Sequence, residues 1–74
     1  MTTTVMGPLA VRPRPGGGFL VEDRGSGAVL PVGELRAALT LAAHMAPLVT
    51  RGVSLALAYQ GALNRLLHGP GDAA

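Results

Sequence analysis

This chain has no cysteine and no lysine, and its aromatic residues are Phe19 and Tyr59 alone. Without cysteine no disulfide can staple the fold, and the redox compartment leaves no mark on the sequence. Histidine is limited to His44 and His68. Two imidazoles without thiolates are poor material for a structural zinc site, and neither a metal nor another cofactor is expected. With so few aromatic rings, the large burial such side chains provide is nearly missing. The 74 residues make one small domain, near the size at which a single core rarely supplies more than about 3–5 kcal/mol. Association with another chain is the remaining route to stability.

All the cationic charge comes from Arg12, Arg14, Arg24, Arg36, Arg51 and Arg65, and the net charge is +2. Lysine-free usage rich in Ala, Gly, Pro and Arg speaks of a GC-rich coding sequence rather than of function. Arginines spread in this way lack the dense basic stripe of a nucleic-acid binder. Long hydrophobic runs are lacking too. Residues 37–49 and 52–63 are largely apolar, but His44, Thr50 and Arg51 interrupt them. A spanning helix needs about 20 consecutive apolar residues, and an arginine at mid-bilayer costs about 2.5–3.5 kcal/mol. Residues 1–6 show neither a charged n-region nor an apolar h-region, so the expectation is a cytoplasmic chain.

What is present divides into a β-rich half, 8–32, and a helical half, 34–68, between an N-terminus, 1–7, expected to fray and a tail, 69–74. Residues 8–14 read as an extended segment, with Leu9 and Val11 on one face and Arg12 and Arg14 on the other. Pro13 lacks an N–H, which assigns this strand to a sheet edge. Gly16, Gly17 and Gly18 form a turn. Residues 18–23 and 28–32 form a hairpin closed by Arg24-Gly25-Ser26-Gly27, whose glycines accept positive φ. Pairing Asp23 with Ala28 sets Val21 opposite Leu30 and Phe19 opposite Val32, all on one face, with Leu20 and Glu22 on the other.

Gly33 is expected to cap the first helix, with Glu34 complementing its positive end. Arg36, Thr40 and His44 then make a polar stripe opposite Leu35, Ala38, Leu39, Ala42, Met45 and Ala46. Beyond Pro47, Leu48, Gly52, Leu55, Ala56, Tyr59, Ala62, Leu63 and Leu66 share a face. The two stripes run out of phase if carried straight through, so a break or kink is expected at Ala46-Pro47. Gly69-Pro70-Gly71 is a helix stop.

No chemical motif is complete. Ser26 lies in a Gly-Ser-Gly turn without the strand–turn–helix of a nucleophile elbow. His44 has no carboxylate or second imidazole at helical spacing, and His68 reads as a residue facing the last helical carbonyls. The glycine run precedes a strand and no lysine follows it, which excludes a phosphate loop. Ala38, Ala42 and Ala46, like Gly52 and Ala56, or Ala58 and Ala62, are spaced by four and permit close helix contact.

Arg12, Arg14 and Arg24 are the candidate nucleic-acid contacts. With strands followed by a helix, their setting resembles small sheet-reading DNA-binding domains such as integrase arm-binding modules. The resemblance is one of topology, covers roughly the first two-thirds of the chain, and has no matching motif. It implies basic side chains on an exposed sheet face reaching the major groove. Arg12 and Arg14 serve equally as a charged guard on a strand edge.

The resulting expectation is an α+β fold, a two- or three-stranded antiparallel sheet followed by two helices. The function expected is a small non-enzymatic interaction or assembly module, a homodimer or accessory subunit, with Leu48, Leu55, Tyr59, Leu63 and Leu66 as its partner interface. A small DNA-binding protein is the alternative, and a membrane-associated helical hairpin the third reading.

Overall fold

A computed structural model describes residues 3–68. Four strands, β1 (Thr4–Met6), β2 (Leu9–Pro13), β3 (Phe19–Asp23) and β4 (Val29–Val32), precede two helices, α1 (Leu35–Thr50) and α2 (Leu55–His68). The strands form one antiparallel meander in chain order. This is the expected α+β class, with one strand more than the sequence reading allowed.

The extra strand corrects the N-terminus. Thr4, Val5 and Met6 pair with Val11, Ala10 and Leu9 instead of fraying. Gly7, at φ +56, turns the chain. The pairing puts Met6 beside Leu9 and against the core, so burial supports a strand that local pattern alone did not reveal. It also moves β2 from the edge to the interior of the sheet. Pro13 is tolerated there for a geometric reason. The Arg14 N–H donates to the Gly18 carbonyl at 3.0 Å. Antiparallel pairs alternate between bonded and non-bonded, so Pro13, opposite Phe19, is in a non-bonded pair. Its nitrogen points toward β1, which ends opposite Val11, and no ladder bond is lost.

The β3–β4 hairpin has the expected register, with Phe19 opposite Val32 and Val21 opposite Leu30. The Asp23 N–H donates to the Ala28 carbonyl at 2.8 Å. The inner face of the sheet carries Leu9, Val11 and Val21, all at most 1% exposed. α1 lies across this face with Ala38, Leu41, Ala42 and Met45 buried. The buried stripe is rotated from the expected one: Leu35 is exposed, and Leu41 takes the inner position. The α1 N-cap is Glu34 rather than Gly33, and it makes no side-chain capping bond. Fully burying a side chain such as Leu9, Met45, Val11 or Val21 stabilises the fold by about 1.5–3 kcal/mol.

The expected break at Pro47 is not there. α1 runs through Pro47 to Thr50. Proline supplies no N–H to the Ala43 carbonyl, but Ala43 and Pro47 are both exposed, so water can serve that carbonyl. The chain reverses four residues later. Gly52 adopts φ +94; its N–H donates to the Val49 carbonyl at 2.9 Å, and the Val53 N–H donates to the Leu48 carbonyl at 3.0 Å. This pair of bonds is the Schellman ending, which needs a left-handed residue just past the cap. Ser54 then starts α2, its Oγ accepting from the Leu57 N–H at 3.4 Å. The out-of-phase stripes are thus reconciled by a stop and restart at residues 51–54.

Candidate functional site

α2 packs on α1 through Leu55, Ala58 and Ala62, which are buried. At roughly 100° per residue, its two flanks differ. On one flank Tyr59, Leu63, Leu66 and Leu67 follow one another at spacings of four, three and one. Tyr59 and Leu63 are half-buried, whereas Leu66 is 42% and Leu67 77% exposed. Leu57, 60% exposed, stands apart on the outer side. No charged residue interrupts the stripe.

On the opposite flank Gly61 and Arg65 face α1 across an open cleft. Its lining is Ala43, His44, Pro47, Leu48, Arg51, Gly61, Ala62 and Arg65, and its volume is about 470 Å³. Gly61 brings the two helices close here: a Cβ in its place would stand 3.2 Å from Leu48 Cδ1. Pro47 contributes an apolar wall beside Ala43. His44, Arg51 and Arg65 are all exposed. Residues 35–68 contain no Asp or Glu, and among the described residues the ion pair found is Arg12–Glu22. Arg51 and Arg65 therefore have no acidic partner among the described residues.

The five residues expected to meet a partner have different environments. Leu55, 6% exposed, belongs to the chain's own core. Leu48 is half-buried and lines the cleft, Tyr59 and Leu63 lean on the core from the stripe, and Leu66 is exposed. Arg12, Arg14 and Arg24 do not converge. Arg12 Nε donates to Glu22 Oε1 at 3.2 Å across the outer sheet face. Arg14 lies beyond one end of the β2–β3 pair and Arg24 beyond the other. Five strand residues span about 17 Å.

Ser26 is held in its turn. Its Oγ donates to Asp23 Oδ2 at 3.0 Å and the Gly25 N–H donates to Asp23 Oδ1 at 2.9 Å. The Gly25 N–H, followed by the Ser26 hydroxyl, holds the Asp23 carboxyl below its ordinary value. This cluster closes the β3–β4 hairpin. α2 reaches His68, whose side chain lies outside the described residues, as does the expected stop at Gly69-Pro70-Gly71. Among the described residues no three metal-ligating side chains cluster, and no helix is long and apolar enough to cross a membrane.

The sequence reading missed the cleft. Its signals were Gly61 within an Ala/Leu-rich helix and the complete lack of acids over 35–68. No protein-family model, curated protein or solved structure matches the chain.

Proposed function

We propose that this chain is a small, non-enzymatic assembly module that pairs with a second copy of itself through α2. The observation that carries the reading is the uncharged stripe Tyr59, Leu63, Leu66 and Leu67, on a helix whose main packing partner is α1 alone. An apolar stripe can meet its own copy in a two-fold interface without like-charge repulsion. The chain has no cysteine to supplement its small core, so covering this stripe is worth more here than in a larger domain.

The outer sheet face is the weaker candidate for the same role. Its register sets Val5, Ala10, Glu22 and Val29 in one row across the four strands. Glu22 and its partner Arg12 thus stand between the exposed Val5 and Val29.

Sedimentation velocity over a dilution series tests the reading, with Leu66→Glu/Leu67→Glu as the variant. The native chain is expected to shift to a smaller species on dilution. The variant is expected to stay small at all concentrations, because an acid is costly to bury without a partner. Circular dichroism should show its helices intact, since Leu66 and Leu67 are both exposed. A native chain that is monomeric at every concentration overturns self-pairing, and α2 would then seat on a larger complex as an accessory subunit.

A further inference from the structure

We infer that the cleft between α1 and α2 is a recognition site for an acidic, apolar segment of a different protein, whose carboxylate seats between Arg51 and Arg65. The inference takes up the reading of the helical half as an interaction surface. It concerns the flank of α2 opposite the apolar stripe, so the two can fail separately.

Charge complementarity identifies the occupant. His44, Arg51 and Arg65 line a cleft whose remaining walls are Ala43, Pro47, Leu48, Gly61 and Ala62. The guanidinium fork matches a carboxylate with two parallel hydrogen bonds, and the apolar walls accept the side chains flanking it. The volume, about 470 Å³, falls in the usual range of about 300–1,000 Å³ for small-ligand clefts. It admits one or two side chains rather than a nucleic-acid backbone, which needs a longer track of cations.

A second copy of this chain is a poor occupant. Among the described residues its acids are Glu22, Asp23 and Glu34. Glu22 is taken by Arg12, Asp23 is held in its own turn and 8% exposed, and Glu34, though exposed, stands two residues from Arg36, so it brings a like charge to the arginines of the cleft. Cleft against cleft would oppose like charges. The cleft and the stripe therefore favour different partners: the stripe can pair with itself, whereas the cleft calls for an acid free of a neighbouring cation, which none of the described acids of this chain offers.

The test is a two-dimensional amide NMR titration of the full ¹⁵N-labelled chain with a short peptide in which leucines flank paired glutamates. The same peptide with glutamines is the control. The glutamate peptide is expected to shift the amides of Ala43, Leu48, Gly61 and Arg65. Arg51→Ala/Arg65→Ala is expected to weaken binding on the order of tenfold or more. Both arginines are exposed, so the fold should persist, as the unmoved sheet amides would show. Equal shifts by the glutamine peptide, shifts confined to Tyr59, Leu63 and Leu66, or no shift at all each overturn the inference. So does binding of duplex DNA or of vesicles with anionic headgroups at the cleft when the peptide is silent. Sedimentation of the double-arginine variant separates the two proposals: loss of the cleft should leave self-pairing unchanged.

Discussion

The two halves of this molecule use their charges in opposite ways. The sheet half, residues 3–34, carries Arg12, Arg14 and Arg24 against Glu22, Asp23 and Glu34. It pairs Arg12 with Glu22 and folds Asp23 into the turn that closes its last hairpin. The helical half, 35–68, carries Arg36, Arg51 and Arg65 and no acid. Its exposed large apolar residues are Leu35, Leu57, Leu66 and Leu67. The sheet half balances its charges, although Arg14, Arg24 and Glu34 stay exposed alongside Val5 and Val29, whereas the helical half leaves unbalanced cations and four leucines facing outward. Charge balance and the extent of leftover apolar surface are independent properties, and both favour the helical half as the interaction surface proposed above.

The largest expected effect tests whether the halves share one core. Met45 is 0% exposed on α1, in a cluster with Leu9, Val11 and Val21 of the sheet and Leu55 and Ala58 of α2. Met45→Ala should cost about 2–5 kcal/mol, comparable to all the stability a chain of this size holds. Sheet and helices should then melt together in circular dichroism. A variant whose helices melt while the hairpin amides stay protected would split the molecule into two independent parts.

The next effect is a gain confined to the helical half. Pro47→Ala restores an N–H to the Ala43 carbonyl and should stabilise α1 by up to about 3 kcal/mol. Since α1 already runs through Pro47, the reversal at Gly52 should stay where it is. The unfolding midpoint should rise, with the NMR signature of residues 51–54 unchanged. An altered turn would mean that Pro47 sets the helix geometry after all.

The smallest effect belongs to the sheet. Asp23→Ala removes the acceptor for Gly25 and Ser26 and should lower the unfolding midpoint modestly. Because folding depresses this carboxyl, its contribution is fully present above its ordinary value near 3.8. It is lost as pH falls through the lower folded value. The native chain and the variant should therefore converge in acid, as thermal melts over a pH series would show. A gap that persists at low pH would assign the turn's stability to something other than the ionised carboxylate.

How legible each half was in the sequence follows from how local its determinants are. The β3–β4 register was readable because alternation of Phe19, Val21, Leu30 and Val32 and the turn length agree. Thr4–Met6 was not, since so short a strand exists only through its pairing with Leu9–Val11. Pro47 misled because a proline's local preference is strong, while the competing signal, Leu48 with Gly52 and Val53 in a Schellman ending, is spread over six residues. Solvent exposure at Ala43 decided between them. The helix wheel placed Leu55, Tyr59, Ala62 and Leu63 on one face, but it counted the exposed Ala56 in that face, left out the buried Ala58, and could not divide the face between α1 and the outside. Leu55 went to the core and Leu66 did not. The cleft depends on where Gly61 meets Leu48, a contact between helices that no single-helix pattern carries.

Amide hydrogen exchange of the native chain, run at low and at high protein concentration, tests the contrast between the halves most directly. The account predicts that amides of α2 from Tyr59 to Leu67 gain protection at high concentration while those of β1–β4 do not change. Protection gained instead along β1 and β4, or equally across both halves, would contradict it.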